Sequence, residues 1–440
     1  MPYRSVCLSA SFTILLACPL LAQNAASTGE RRTMTAERMT SEEVIELDGL
    51  LDEPSWQRAV PATDFIQQDP VLGGTPTERT EVRIIFNRDH LYMGVLCFDS
   101  EPDKMLGNTM KRDEFLRADD RFMWVMDTFL DQQSGYFFEM NPSGLMADSL
   151  MGSGGAQSRE WDGIWDAKVL RSHLGWTLEI KIPFRTLNFD PDGTAWGINF
   201  QRTIRRKNEE NLWTGYLRNQ QLRQMSNAGL LEIDIKGGGV TQGLGLDVKP
   251  YLTGGGSESP GRDPIVPLVK TTDLGVDLFY NVTPSLRANL TVNTDFAQTE
   301  VDQRLVNLTR FPLFFPEKRD FFLDGATFFD FYVPRSWQNS NVAVQPFFSR
   351  RIGLDANGLP QKIDFGTKLT GQLGQQDVGF LHVRTGDESK LVGEDFTVLR
   401  LKRRVLAQSY VGMFYSRRDS RAIASSPEQT AGLDFRLATS

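Results

Sequence analysis

At 440 residues with a formal net charge of -8, the chain is too long for one ordinary core, and two or more domains are expected. Hydrophobic residues at 40% and charged residues at 24% exclude wholesale disorder. The acidic balance excludes the concentrated basic face that nucleic-acid binding requires.

The N-terminus sets the compartment. Arg4 supplies a positive start, Val6 to Ala22 is apolar apart from Ser, Thr and Pro, and the chain turns polar at Gln23-Asn24. That order of features reads as a signal peptide over residues 1–22, cleaved after Ala22, and predicts export. A second reading stays open: Leu15-Leu16-Ala17-Cys18 has the shape of a lipoprotein box, which would leave Cys18 as a lipidated terminus. No later apolar run approaches the roughly 20 residues of a membrane helix. A membrane-integrated form would therefore have to be a closed barrel. With Cys7 and Cys18 inside the signal, Cys97 stands alone in the mature chain and no intrachain disulfide is expected. Its strand-like setting, Leu91 to Phe98, predicts a buried inert thiol.

Residues 23–43 are polar and read as a linker. From residue 44 to 236 the chain breaks into short β runs, among them Glu81 to Phe86, Leu91 to Phe98, Arg121 to Leu130 and Trp176 to Ile182. Turn signals such as Asn87-Arg88-Asp89 and Asp190-Pro191-Asp192-Gly193 separate them. Strands spaced in this way predict an antiparallel β-sandwich. Short helices are expected at Ser55 to Ala59 and Lys111 to Leu116.

After Gly237-Gly238-Gly239 the pattern changes. In Ser285 to Phe296, residues Leu286, Ala288, Leu290, Val292, Thr294 and Phe296 share one face, opposite Arg287, Asn289, Thr291, Asn293 and Asp295. Lys362 to Thr370 and Thr430 to Ala438 repeat the alternation, and Gly243 to Thr253, Asp273 to Tyr280, Gln376 to His382 and Ser409 to Ser416 approximate it. Ten-residue segments of this kind predict a membrane β-barrel over residues 237–440. Residues 297–345 interrupt it with Phe311, Phe314, Phe315, Phe321, Phe322, Phe328, Phe329 and Phe331 around Pro312 and Pro316. Two prolines bar a central strand. So many phenylalanines need cover, which predicts an insert packed into the barrel mouth or an interface.

Two blocks carry family resemblances. Ile45, Leu47, Asp48-Gly49, Leu51-Asp52-Glu53 and Trp56, followed in order by Leu91 to Val95, Asp127, Asn141-Pro142-Ser143-Gly144, Asp148 and Gly175 to Phe184, resemble a family 9 carbohydrate-binding module. The run Asn307 to Gly325, with Arg310-Phe311-Pro312-Leu313-Phe314-Phe315-Pro316-Glu317-Lys318-Arg319, resembles the uncharacterised outer-membrane barrel domain that commonly follows that module in Gram-negative bacteria. The resemblances imply an all-β chain, a sandwich followed by outer-membrane barrel sequence. They also imply a glycan-binding role, with membrane lipid and the barrel-assembly machinery as further partners. Members of the barrel family generally continue through more strands and end on an aromatic residue. The chain stops at Ala438-Thr439-Ser440, which reads as truncation or as a reduced barrel of about eight strands.

Sugar recognition needs flat aromatic faces for the apolar side of a pyranose and polar groups for its hydroxyl rim. Trp56, Trp124, Trp176 and Trp196 sit in core positions. Trp161 and Trp165, with Asp162 between them, follow the loop Gly152-Ser153-Gly154-Gly155 and are stacking candidates, as is Trp213. Arg202 and Arg205, with Arg206, could meet hydroxyls or acidic sugars. Family 9 modules carry structural calcium, and Asp119, Asp120 and Asp127 offer hard oxygen ligands for it. His90, His173 and His382 are too scattered for zinc. No Gly-x-Ser-x-Gly elbow, Walker loop or His-Glu-x-x-His is present. The expectation is a non-enzymatic outer-membrane glycan-binding protein. The alternatives are an envelope structural or assembly factor with a degenerate module, and a protein associated with glycan hydrolysis.

Overall fold

The computed structural model describes residues 31–114, 116–152, 157–236, 239–259, 266–294, 317–331, 346–354, 361–387, 392–406, 409–422 and 426–437. The expected signal peptide, Ser153-Gly154-Gly155 and the motif from Asn307 to Pro316 lie outside the described residues.

The N-terminal half opens with β1 (Thr33–Thr35), β2 (Glu37–Arg38), helix α1 (Pro54–Arg58), β3 (Ile66–Asp69), β4 (Thr80–Phe86) and β5 (His90–Phe98). It continues with β6 (Arg121–Asp127), β7 (Gly135–Met140), β8 (Met146–Met151), β9 (Gln157–Ser158) and β10 (Asp166–Ser172). The last strands of this half are β11 (Gly175–Pro183), β12 (Ala195–Ile204), β13 (Glu209–Leu212) and β14 (Gly229–Glu232). One sheet has the order β1-β14-β12-β6-β7-β8-β9, with β13 and β3 attached at β12; the other runs β10-β11-β5-β4-β2. Between them lies one core of Trp124, Phe138, Trp196 and Phe200 from the first sheet and Ile84, Met93, Leu178 and Ile180 from the second. Trp56 on α1 belongs to a satellite cluster with Ile85 and Tyr92. The predicted Ser55–Ala59 helix is therefore present, while Lys111 to Leu116 forms a turn among its described residues.

The expected 23–43 linker is in part sandwich. Within it β1 pairs with β14 and β2 with β4, both in parallel, so residues 33–38 cross from one sheet to the other. The segment is too polar and short to read as strand by periodicity. Among its described residues, Met34, Ala36 and Met39 turn inward.

The C-terminal half is an antiparallel meander: β15 (Leu246–Ser259), β16 (Val266–Thr283), β17 (Leu286–Thr294), β18 (Ile363–Leu373), β19 (Gln376–Thr385), β20 (Glu394–Leu406), β21 (Ser409–Ser420) and β22 (Glu428–Arg436). Each strand pairs with its successor, and no pairing joins β15 to β22 among the described residues.

Its two faces are reversed relative to a soluble sheet. Asp277, Asn289, Thr291, Lys368, Thr370, Arg400, Lys402 and Asp434 are buried, whereas Leu252, Leu274, Leu433 and Phe435 are 67–78% exposed. On β21 the alternation is plain: Tyr410, Gly412 and Phe414 are covered while Val411 and Met413 are open. A soluble sheet places its apolar face on a core and its polar face in water. The predicted alternation fails at two places: at the register shift between Ile363 and Phe365, which turns Ile363 to the covered side, and at Asn293. Asn293 adopts a left-handed φ of 65°, so Thr294 turns to the polar side and bonds with Thr291 and Asp277. Without that residue's backbone angle the period-two reading could not have found the break.

The described part of the phenylalanine-rich insert covers the polar face. Helix α2 (Asp320–Leu323) and the 3-10 turn Ala326–Phe329 place Phe321, Phe322 and Phe329 in a cluster with Ile363, Leu381, Val383 and Phe414. Wall cations satisfy their free carbonyls: Lys368 donates to the Phe321 and Asp324 oxygens, and Lys402 to that of Thr327. Arg400 donates to the Asp330 carbonyl at 3.0 Å and forms a bidentate pair with Asp434 at 2.5 and 2.7 Å. Burying such charges is tolerable only when each is paired in this way.

Candidate functional site

The tryptophans expected to stack on sugars are built into the sandwich. Trp161 packs on Tyr136 and Phe138, with ring centroids at 5.3 and 6.3 Å. Gly163 closes over its edge, where a Cβ would lie 2.6 Å from the indole. Trp165 stands edge-on to Trp124 and Phe138 and donates its Nε1 proton to Asp148 Oδ2 at 2.7 Å. Burial pushes the Asp148 carboxyl up to about 6, against the bonds it accepts from Trp165 and the Gly163 amide. Arg112 joins this hub, bonding Asp148 at 2.8 Å and the exposed Asp162 at 2.6 Å. Asp148 thus fixes the 160–165 loop, a role that a sequence pattern of isolated carboxylates does not reveal.

Arg202 is also structural, and its predicted access to hydroxyls is corrected. It is 2% exposed and reaches from β12 to the opposite sheet, donating to the carbonyls of Arg79 and Phe98 at 2.9 and 2.7 Å. Arg206 forms a bidentate pair with Asp99 at 2.8 and 2.7 Å, and Lys207 bonds Glu78 at 2.6 Å. Arg205 is exposed at the turn after β12, and its amide donates to Asp120. These basic side chains do not converge with the tryptophans on one surface.

The expected calcium ligands are occupied by amide protons. Asp119 accepts from the amides of Asn108 and Thr109 and from Asn141 Nδ2; Asp120 accepts from Leu106 and Arg205, and Asp127 from Asp131 and Gln132. Burial raises Asp120 and Asp127, the latter helped by neighbouring Asp131. At Asp119 burial is outweighed by the Thr109 and Asn108 amides, which hold it low. Among the described residues no group of three His, Cys, Asp or Glu side chains could hold a metal ion. In these loops the carboxylates pin backbone N–H groups.

A cleft of about 490 Å³ opens on the sandwich between the crossing segment and the run Val60 to Asp64. It is lined by Thr33, Thr35 and Thr63, the charged Arg32, Glu37, Arg58 and Asp64, and apolar Met34, Val60, Pro61 and Trp213. Trp213 is 4% exposed and backed by Phe200 at 5.5 Å. Arg32 is held by the carbonyls of Asp64 and Trp213 at 2.6 and 2.8 Å. Arg58 is fixed by Glu43 at 2.6 and 2.8 Å, a contact that lowers the Glu43 carboxyl to about 2. The size falls within the ligand-pocket range of about 300–1,000 Å³, and the lining mixes charged, hydroxyl-bearing and apolar residues. Of the predicted binding residues only Trp213 lies here. The rest of the cleft comes from residues assigned in sequence to linker and loop, and from Arg58 of the expected short helix, where no periodicity marks a binding role.

A second cavity of about 70 Å³ brings Trp161 and Asp162 together with Arg185, Asp247, Lys249 and Arg287.

Residues 243–372 match the model of a domain of unknown function, DUF5916. No curated protein matches. Two solved structures of a carbohydrate binding module family 9 from Caldicellulosiruptor kristjanssonii are similar to the chain. The cellotriose complex is 14% identical, covers 46% of this chain and 93% of its own, and has a TM-score of 0.34. The glucose complex is 14% identical over 46% of this chain and 95% of its own, again with a TM-score of 0.34.

Proposed function

We propose that the protein is exported to the outer membrane, where the C-terminal sheet is embedded in lipid and the sandwich binds a carbohydrate without cleaving it. One observation carries the membrane assignment: the covered face of the sheet encloses charged and polar side chains beside the apolar cluster under the insert, while its open face is largely apolar. In water this arrangement would leave leucines and phenylalanines wet over a whole sheet while enclosing lysine, arginine and aspartate. In a bilayer the same faces meet hydrocarbon and a polar interior respectively. Lipid and the barrel-assembly machinery are then its partners. The glycan site is the 490 Å³ cleft, supported by its size, its mixed lining and the sequence resemblance to a family 9 module.

The test uses the full chain in detergent micelles on a glycan array. Binding that weakens in Glu37→Gln and Thr35→Val variants supports the cleft, and wild-type protein that binds no glycan ends the carbohydrate reading. A second reading, an envelope structural factor, is favoured by the burial of Trp161, Trp165 and Trp213. Their ring faces serve packing, as they would in a module that has lost its ligand.

A further inference from the structure

The connections of the C-terminal sheet differ sharply between its two ends. At one end β16 joins β17 through Pro284-Ser285, and β18 joins β19 through Gly374-Gln375. At the same end β20 joins β21 through residues 407–408. At the other end the connections span residues 260–265, 295–362, 386–393 and 421–427. Outer-membrane sheets have short turns on the periplasmic side and longer loops outside.

The sandwich is attached at the tight-turn end. β15 begins there, directly after the sandwich. The Phe189 amide donates to the Pro284 carbonyl at 3.0 Å, inside the first tight turn. Asp131, on the loop after β6, accepts a buried bond from Gln372 Nε2 at 2.9 Å, next to the second. The same carboxylate lies 3.9 Å from Arg404, next to the third. Three separate strand ends thus hold the module at one rim.

From this geometry we infer that the sandwich is fixed on the periplasmic side of the outer membrane. Its cleft then meets glycans of the periplasm and not those displayed on the cell exterior. The inference rests on the membrane reading given above.

Cysteine accessibility tests it in the full-length protein. Cys97 is 1% exposed, so wild type serves as an unreactive control. Lys168→Cys places an exposed thiol on β10 of the sandwich, and Ser426→Cys places one in a long connection. A membrane-impermeant maleimide is expected to label Ser426→Cys on intact cells and Lys168→Cys only after the outer membrane is permeabilised. Labelling of Lys168→Cys on intact cells, with the protein still in the membrane fraction, overturns the orientation and leaves the membrane reading standing. Recovery of the protein in the soluble periplasmic fraction overturns both.

Discussion

Glu179 lies on β11 with 0% exposure and accepts the amides of Asp48 and Gly49 at 2.9 and 3.0 Å through Oε2. Burial is the main cause that raises its carboxyl from 4.5 to about 7, against the two amide bonds. A carboxyl raised on folding stabilises the fold below its unfolded value and withdraws that contribution as pH climbs through the folded value. Between pH 4.5 and 7.5 the wild type should therefore lose about 3 kcal/mol at this residue, from 2.5 units at 1.36 kcal/mol each. Glu179→Gln keeps an acceptor for both amides and removes the titration. The assay is thermal unfolding in detergent followed by tryptophan fluorescence, which reports the sandwich because Trp337 is the one tryptophan outside it. The variant should match wild type near pH 4.5 and melt roughly 6–12 °C higher at pH 8, at about 2–4 °C per kcal/mol. Asp148 titrates in both proteins and cancels in the comparison. A difference between variant and wild type that does not change with pH would refute the reasoning.

Three further outcomes follow from the same contacts. Leu401→Arg on the open face of β20 should cost about 2–4 kcal/mol if that face meets lipid, and should be read as lost outer-membrane abundance. Gln372→Ala removes a buried donor to Asp131 and should loosen the seat of the sandwich by about 1–3 kcal/mol, seen as faster hydrogen exchange at the Phe189 amide. Trp165→Phe strips Asp148 of its indole donor and should raise that carboxyl further, destabilising the protein more at pH 8 than at pH 5 in the same melting assay.

Much of the fold was legible because strand periodicity is a local property. Leu433, Asp434 and Phe435 announce an outward, inward, outward order in the sequence itself, and burial follows it. Which face would be buried was not local. It depends on the insert carrying Phe321 and Phe329 back onto the charged side, a contact set by residues far away in the chain. The site was less legible for the same reason. Trp161 looks available in a loop, yet Tyr136 and Phe138 on β7 take its ring, and Arg202 looks like a surface cation until β4 and β5 are placed opposite it. The residues that line the larger cleft, such as Arg32, Thr35 and Asp64, come together only because β1 and β2 bridge two sheets in parallel.

The most direct test is a nitroxide scan of residues 410–415 on β21 in protein reconstituted into lipid vesicles, each position carrying one introduced cysteine. Collisions with lipid-soluble oxygen should peak at positions 411, 413 and 415, with no access for a water-soluble nickel complex at those sites. If the nickel complex instead reaches 411 and 413, the apolar face lies in water and the sheet does not span a membrane.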